Sequence, residues 1–503
     1  MKLLILCALF APIIYMAFKQ KKWYLYLMTA FVGILPEQFS VRVHDSLPLL
    51  TGSRVLILLV AAFWLYERIK TRRFSVPKSL WIYFGVNVAL ALFHLFFDLD
   101  EIKHIAVLLV ERALVMILLK DMIESREEFE RCVDFLILGC CAVSVIGICQ
   151  TVFDYDIASA LHLTETMSSI ILSPRMGLTR AYGTFNAISF GCYLSMMLLP
   201  IYYRLEKTRL HRYSAAFALT FSALICTFTR SAWLCVAAVF FFIFLLRRLK
   251  IIKRLIPGVA MAVALCLLLC LPQPKLMSAF VQTGRSVINT VLMAIPSSPS
   301  EDPSPSDPSA STPDVPEKDE NKPPLELDEE FGPNGSDPSY SRMAQWSAVR
   351  YMIGEGKLLA GYGYNAFPEG KLHFYFDRWL GEWEVAKMLD VGLVALMTEF
   401  GLLGTLAHAG LLVYIAIYCW LHRRKDGAFG FYRMTLYSLP LYLLLNFLAS
   451  FLYAELIWLL WGLFYAYSRL DKELPPEQTP VVDEQPTSGI FETIRRKLCR
   501  KFP

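Results

Sequence analysis

The sequence predicts an all-α membrane protein with about 12–14 transmembrane helices and one large external loop. Of its 503 residues, 56% are hydrophobic, and the mean hydropathy is +0.46. Charged residues make up 18% of the chain and fall in blocks between apolar runs. A spanning helix needs about 20 mainly apolar residues, and such runs recur along nearly the whole length. These observations exclude secreted and cytosolic globular proteins.

The apolar runs predict thirteen spans. We place them at residues 3–18, 23–36, 54–66, 79–97, 105–119, 132–152, 186–203, 213–229, 232–246, 255–271, 388–420, 431–452 and 454–468. The first run lacks a charged leader and a small-residue cleavage site, so we expect a retained helix rather than a signal peptide. The 12 cysteines fall nearly all inside apolar runs, which excludes an external disulfide framework.

The basic loops predict the orientation in the membrane, because lysine and arginine accumulate in cytoplasmic loops. The basic segments are 19–22, 68–73, 204–212, 247–254, 423–425 and the tail. The alternation then places outside the segments 37–53, 98–104, 153–185, the turn around Arg230 and 272–387. These loops also account for the net charge of +5, so we expect a lipid bilayer and no nucleic acid as a partner.

The chain therefore divides into four predicted regions. Residues 1–271 hold transmembrane helices 1–10, 272–387 form the external loop domain, 388–468 hold the C-terminal transmembrane helices, and 469–503 form a cytoplasmic tail. Within the external domain, residues 296–338 are rich in Ser, Pro and acidic side chains and predict a disordered linker.

Order is expected to return in the helical part, residues 339–387. Asp337-Pro338 is typical of a helix start, and Gly354 is typical of a helix end. Arg342, Gln345, Trp346, Val349 and Ile353 have the spacing of one helical stripe, which we expect to face the protein. Arg350 would then point about 80° away from that stripe.

A series of short motifs follows the same membrane pattern. In order they are Arg180-Ala181-Tyr182-Gly183-Thr184-Phe185, Thr229-Arg230-Ser231-Ala232-Trp233, Arg342-x-x-x-Trp346, Gly361-Tyr362-Gly363-Tyr364-Asn365-Ala366-Phe367, and Asp390 before Glu399-Phe400-Gly401-Leu402-Leu403-Gly404. With these motifs the chain resembles the O-antigen ligase/polymerase superfamily over roughly residues 130–470. The resemblance implies a C-type glycosyltransferase-like fold and transfer, without metal or other cofactor, from undecaprenyl-diphosphate-linked glycans.

The chain departs from the superfamily pattern at two places. Asn186-Ala187-Ile188-Ser189 stands where members usually have Asn-Pro-Asn-like residues, and Asp390-Val391 stands where His-Asn or Asp-Asn is usual. Ligases tend toward the histidine and polymerases toward the aspartate, so Asp390 favours a polymerase.

The resemblance implies a multi-pass protein of the bacterial cytoplasmic membrane, working at its outer side in surface polysaccharide biosynthesis. The implied partners are the lipid-linked donor, a glycan or lipid-linked acceptor, and other polysaccharide-assembly membrane proteins.

Transfer from a lipid diphosphate requires cations near the departing phosphates. Arginine suits this task because its planar fork binds phosphate oxygens bidentately and stays charged. We predict Arg230 and Arg342 as catalytic and Arg180 and Arg350 as substrate-binding. The alternatives are a snorkelling helix-end residue for Arg230, an ion pair for Arg342, and ordinary surface charges for Arg180 and Arg350.

The acceptor hydroxyl must also lose a proton, for which Asp390 is the predicted general base. Its alternative role is the N-cap of the following helix. Glu399 lies about 180° around that helix, so it braces the turn at Gly401 unless it contacts the substrate. Trp346 is a predicted substrate contact, and His373 is a base only if the loop folds over the site.

Several other groups are expected to be structural. The pairs Asp98/Asp100 and Asp154/Asp156 match the Asp-x-Asp pattern of metal-dependent sugar transferases, but this pattern is common in polar loops. Glu111-Arg112 is expected to be satisfied within its own span or by a neighbouring helix, and His94 and His408 are expected to pack in the core.

The alternative function is a transporter or flippase of lipid-linked oligosaccharides. Such a protein would more often show internal repeats, discontinuous helices and charges near the bilayer midplane.

Overall fold

A computed structural model describes most of the helical part of the chain. The described residues are 22–35, 40–41, 48–71, 76–98, 101–154, 178–185, 187–208, 211–247, 249–293, 346–363, 375–377, 382–384, 391–423, 429–449 and 454–473. The predicted span 3–18, the acidic linker and the tail beyond residue 473 lie outside them. So do the predicted site residues Arg342, His373 and Asp390.

The described residues are almost entirely helical, which confirms the predicted all-α class. The helices are α1 (Trp23–Phe31), α2 (Gly52–Thr71), α3 (Lys78–Leu95), α4 (Glu101–Val107), α5 (Val115–Met122), α6 (Arg126–Val152), α7 (Ala187–Thr208), α8 (His211–Cys226), α9 (Arg230–Arg247), α10 (Leu249–Cys270), α11 (Lys275–Met293), α12 (Ser347–Gly354), α13 (Gly392–His422), α14 (Phe431–Leu448) and α15 (Glu455–Glu473). A π-helical stretch, Leu108–Leu114, joins α4 to α5.

Two short antiparallel hairpins interrupt the helical pattern. Strand β1 (Ser40–Val41) pairs with β2 (Leu50–Thr51), and β3 (Tyr375–Asp377) pairs with β4 (Glu382–Glu384). In the second hairpin Phe376 lies opposite Trp383. Both hairpins fall in segments that the sequence predicted to be external.

The helices are those of a multi-pass membrane protein. Among the described residues, α3, α6 and α13 are long and apolar enough to cross a membrane, and Arg230–Leu245 and Leu255–Cys270 are shorter apolar stretches. Large apolar side chains on their outer faces, such as Leu138 and Phe241, are well exposed, as is expected of surfaces that meet lipid. The number of spans, about 12–14, stays a prediction.

Ion pairs tie the helices together at one end of the bundle, which we call the basic end. There Lys22 pairs with Glu128 of α6, and Arg126 Nη2 lies 3.2 Å from Asp471 Oδ1 of α15. Arg68 Nη2 lies 3.6 Å from Asp121 Oδ2. Lys22 and Arg68, from two basic segments that the sequence assigned to one side of the membrane, therefore lie at one end of the molecule.

Polar groups inside the bundle have neighbouring partners. Glu111 Oε1 lies 2.6 Å from Arg54 Nε, and the Arg112 guanidinium lies over the Trp458 ring, 5.2 Å from its centroid. The expectation that Glu111-Arg112 is satisfied by neighbouring helices is confirmed. His408 is buried, with Nε2 3.1 Å from Tyr442 Oη and Nδ1 3.4 Å from the hydroxyl of Tyr83.

Helix α12 ends at Gly354, as predicted, but its buried face is shifted by one position from the predicted stripe. Ala348 and Met352 are fully buried, whereas Ile353 is 52% exposed. The prediction that Ile353 faces the protein was wrong, because the helix packs through Ala348 against Val391 and Val394 at the start of α13. The predicted beginning of this helix lies outside the described residues.

Candidate functional site

The turn between α8 and α9 forms the centre of the candidate site. It comprises residues 227–230, which we call the Arg230 corner, and α9 begins at Arg230 itself. Phe228 holds a positive φ of 51°, a conformation that an L side chain adopts only when its surroundings impose it. Its ring is fully buried against Leu178, Leu276 and Ala279, so packing fixes the corner.

The motif that begins at Arg180 is clamped onto α6 by one side chain, Gln150. The Gln150 Oε1 accepts from the backbone N–H of Tyr182 at 3.1 Å and of Gly183 at 2.7 Å, and its Nε2 donates to Gly183 O at 2.9 Å. Gly183 has a φ of +58°, and a Cβ there would lie 2.8 Å from a Val143 methyl. Only glycine fits this turn.

The clamp delivers Arg180 to the Arg230 corner. Its Nε donates to Thr227 O and its Nη2 to Thr229 Oγ1, both at 2.9 Å, while Ala181 N donates to Cys226 O at 3.0 Å. Two arginines that are 50 positions apart in the sequence therefore meet at one turn. The sequence predicted both as ligands of an anion, and the described structure brings them together.

Arg230 keeps most of its hydrogen-bonding capacity. Its Nη1 donates to Ser286 Oγ, and it forms no ion pair with any described residue. A guanidinium has five N–H donors, so four of those on Arg230 have no partner within the described ranges. Arg230 therefore has free donors of the kind that the predicted anion-binding role requires.

Helix α11, which sequence reasoning did not identify, forms the adjoining wall. Ser286 and Thr283 lie on its inner face, and the Thr283 side chain is 1% exposed. The Thr283 Oγ1 has no hydrogen-bond partner in the described part of the chain. Helix α11 thus supplies Ser286 as a hydroxyl partner of Arg230 at the corner.

A second feature lies in α13, which is broken at Gly401. This residue has φ +62°, far from helical values, and a Cβ there would overlap Leu359 O. Segment 357–363, part of the loop predicted to be external, enters the break and is held by backbone hydrogen bonds, and we call it the re-entrant segment. They are Leu402 N to Leu358 O (2.8 Å), Leu403 N to Leu359 O (3.1 Å), Tyr362 N to Thr398 O (2.9 Å) and Gly363 N to Glu399 O (3.0 Å).

Glu399 lies directly before this break and is 5% exposed. Its carbonyl oxygen accepts from Gly363 N, so its backbone holds the re-entrant segment in place. This contact agrees with the prediction that Glu399 braces the turn at Gly401. A contact between its carboxylate and the substrate stays a prediction.

The start of α13 tests one alternative role of Asp390, that of the helix N-cap, although Asp390 itself lies outside the described residues. The N-cap position of the helix is Val391, which makes no side-chain capping hydrogen bond and is buried. Asp390 therefore precedes the N-cap by one residue, which removes the main argument for a capping role. Gly392 packs so closely on Asn446 of α14 that any side chain there would overlap the Asn446 amide.

Three buried titratable residues, none of them predicted as site residues, surround the re-entrant segment. His94 Nε2 lies 2.9 Å from Ala360 O, and the Glu101 carboxylate occupies the space where a Cβ of Gly363 would lie. The His104 ring packs 5.1 Å from Phe400. The expectation that His94 only packs was incomplete, because it also hydrogen-bonds the segment. Glu101 and His104 are three residues apart on one helix, a spacing that could have identified them.

One aspartate of each Asp-x-Asp motif, Asp98 or Asp154, lies in the part of the chain that the structure describes. Asp154 accepts from Thr179 N at 2.8 Å and from Thr179 Oγ1 at 2.6 Å, and these hydrogen bonds lower the pKa of its carboxyl group. Asp154 thereby anchors the residue before Arg180. No described cluster of three or more His, Cys, Asp or Glu side chains could hold a metal ion, and Asp100 and Asp156 lie outside.

The remaining predicted residues lie near the second feature. Trp346 is partly buried and packs with Ala348 against the start of α13. Arg350 is exposed on α12. The described residues thus form two groups, with Arg180 and Arg230 at the corner and Trp346 and Glu399 around the start and break of α13.

Comparison with known proteins gives one family match. Residues 215–409 match the family described as O-antigen ligase. The matched range contains the Arg230 corner, α11, the re-entrant segment and the Gly401 break, while Arg180 precedes it. No curated protein matches the chain. The match confirms the resemblance to the O-antigen ligase/polymerase superfamily and indicates a membrane enzyme that processes glycans.

Proposed function

We propose that the protein is a polymerase of surface polysaccharide, a membrane glycosyltransferase that transfers undecaprenyl-diphosphate-linked oligosaccharides at the outer side of the cytoplasmic membrane. The observation that carries this proposal is Arg230, a guanidinium fixed at a bundle end and bonded to a hydroxyl. An anionic group on a lipid anchor is the ligand that suits such a cation at a membrane rim.

In this proposal the arginines stabilise the leaving group. Arg230 contacts the phosphate oxygens of the donor as the glycosyl bond breaks, and Arg180, fixed on Thr227 and Thr229, holds the corner and adds positive charge. Preorganised cations of this kind supply a large share of catalysis, because they need no rearrangement when charge develops. Arg342 is the proposed third cation, and Arg350 and Trp346 are proposed to contact the glycan.

The other half of the reaction is removal of the acceptor proton. Asp390 is the proposed general base, since it directly precedes the start of α13, against which Trp346 and Tyr362 pack. The glycan is transferred to the acceptor oxygen, the proton passes to the Asp390 carboxylate, and the lipid diphosphate leaves. No metal takes part in this scheme.

One alternative function has support from particular observations. The break of α13 at Gly401 and the buried Arg112 within the bundle are features of membrane transporters. A flippase of lipid-linked oligosaccharides would move the donor without changing it. Chain growth in purified components therefore separates the two functions.

The test is reconstitution of the purified protein with a lipid-diphosphate oligosaccharide. A ladder of products supports the polymerase, a single shift indicates a ligase, and unchanged donor contradicts both enzymatic proposals. Arg230→Ala is expected to reduce product formation by about 10²–10³-fold, as loss of a charge-stabilising donor does elsewhere. Arg212→Ala, which removes an exposed arginine at the basic end, is the matched control and is expected to retain activity.

Asp390→Asn tests the proposed base in the same assay. We expect a loss of about 10²–10⁴-fold in rate with donor binding retained, because the amide cannot accept the proton. Asp377→Asn, in the β3–β4 hairpin, is the control carboxylate. Unaltered product length in Asp390→Asn would remove Asp390 from the proposal.

A further inference from the structure

Helix α11 has three distinct faces, and one of them has no protein partner among the described residues. At about 100° per residue, Met277, Val281 and Ile288 fall within about 40° of one another. They are 41%, 48% and 59% exposed. The inner face, by contrast, carries Leu276 and Ala279, which are buried.

The third face of α11 is polar and basic. Lys275, Ser278, Gln282 and Arg285 are all exposed and lie together on the side next to the apolar face. The helix contains no Asp or Glu, so its only formal charges are the two positive ones. An apolar face beside a cationic edge is the pattern of a helix that lies in the plane of a membrane surface.

The contacts of α11 also give its direction. Leu276 packs on Phe228, and Ser286, about 15 Å further along the helix, accepts from Arg230. If α11 ran alongside α9, Ser286 would lie beside a residue about ten positions into α9. Instead it contacts Arg230, the first residue of α9. Helix α11 therefore crosses the end of the bundle at the level of the Arg230 corner.

Its exposed apolar face continues from that of α10, which the sequence predicts to span the membrane. Helix α10 is apolar from Leu255 to Cys270 and exposes Leu267 and Leu268, and Leu271, in the link to α11, is 75% exposed. Lipid that covers α10 would reach Leu271 and then the apolar face of α11. A water-facing position would leave this contiguous apolar surface uncovered.

We propose that α11 is an interfacial helix that docks on the lipid headgroup region, with Met277, Val281 and Ile288 in the acyl boundary. Lys275 and Arg285 then face the phosphates of anionic lipids. In the predicted orientation this is the outer leaflet. Because Ser286 holds Arg230, the docked helix fixes the arginine at the depth of lipid phosphates. The inference stands on the helix itself and does not depend on the reaction.

The test is photo-crosslinking to lipid, which needs no activity. Benzophenone-bearing residues replace Val281 or Ile288 on the apolar face and Ser278 or Gln282 on the polar edge. Each variant is placed in nanodiscs that contain phosphatidylglycerol, and lipid adducts are measured by mass spectrometry. We expect about fivefold more adduct at positions 281 and 288 than at 278 and 282.

Absence of a significant excess at the apolar positions would overturn the inference. The same four variants in native membranes identify any protein partner, and a protein adduct instead of a lipid adduct at position 281 or 288 would also overturn it. Size-exclusion profiles of the variants show which are folded. Because the apolar face has two labelled positions, loss of one variant leaves the comparison intact.

Discussion

Arg204, near the end of α7, and Arg230, at the start of α9, lie at opposite ends of α8 and are held in different ways. At the basic end, Arg204 lies 2.7 and 2.8 Å from the two Asp134 carboxylate oxygens and also pairs with Glu130. At the other end, Arg230 contacts one hydroxyl. The first arginine has its charge compensated by carboxylates, and the second has no carboxylate partner among the described residues. This contrast is what we expect between a structural cation and one that binds a ligand.

Arg54 shows that an arginine away from the basic end can also be paired with a carboxylate. It lies at the N-terminal end of α2, and its Nε is 2.6 Å from Glu111 Oε1. Its guanidinium also donates to Leu49 O. Arg54 therefore lies outside the basic end and has its charge compensated by Glu111. Arg230 differs from it because no described carboxylate pairs with it.

The largest expected effect is the difference in stability between variants of Arg204 and of Arg230. Arg204→Ala removes the buried cation shared by Glu130 and Asp134 and leaves them only the more exposed Lys207 and Arg212, which is expected to destabilise the protein by about 3 kcal/mol. Arg230→Ala is expected to destabilise the protein by at most about 1.5 kcal/mol, because it removes one hydrogen bond, to Ser286, and no ion pair with a described residue. Thermal unfolding in detergent, followed by size exclusion, measures both.

Equal loss of folded protein in both variants would contradict this distinction, because Arg230 would then be a structural residue as well. Arg212→Ala is the control for loss of an exposed arginine, since its side chain is 63% exposed.

The next effect concerns the break in α13. Gly401→Ala places a methyl group against Leu359 O at a φ of +62° and is expected to destabilise docking of segment 357–363 by about 1–3 kcal/mol. Trypsin cleavage after Lys357 should become faster. Gly410→Ala, in the same helix with open space around it, is expected to be neutral or stabilising by about 0.5–1 kcal/mol. Identical cleavage rates in both variants would contradict the docking.

Ser286→Ala is expected to have a smaller effect. This variant tests whether α11 positions Arg230. Loss of a hydrogen bond to a charged group corresponds to about 1.5 kcal/mol, or about a tenfold loss of transfer rate if it positions Arg230. Ser278→Ala changes the exposed edge of the same helix and is the control. A tenfold loss in the control as well would show that the effect comes from the helix and not from the contact.

Several of these features were accessible from the sequence. Arg180 and Arg230 stand out because charged residues between apolar runs are easily located and their membrane side follows from the basic loops. Gln150 did not stand out, since a single amide inside an apolar run has no periodic signature, although its three hydrogen bonds position Arg180.

The features that escaped prediction depend on tertiary contacts. Ile353 matched the predicted stripe, but the packing of Ala348 on Val391 set the buried face. A turn at Gly401 was predicted within the span 388–420, but only the entry of segment 357–363 shows why the helix breaks there. The amphipathic pattern of α11 lies in a segment that hydropathy assigns simply to a loop.

The smallest expected effect comes from the acidic stretch of the external segment. Deletion of residues 297–321 is expected to leave polymer length largely unchanged, because its composition predicts a linker without packed contacts. Deletion of residues 357–363, a segment held in the helix break, is the contrasting variant and should abolish activity. Loss of polymer in the first deletion would assign the acidic stretch a function of its own.

Binding of a prenyl diphosphate to the purified protein tests the central claim most directly. The dissociation constant of a short-chain prenyl diphosphate would be measured by native mass spectrometry for the parent, Arg230→Gln and Arg212→Gln. The account predicts at least about tenfold weaker binding for Arg230→Gln, equal to about 1.4 kcal/mol, and no change for Arg212→Gln. Equal affinity for all three proteins would contradict it.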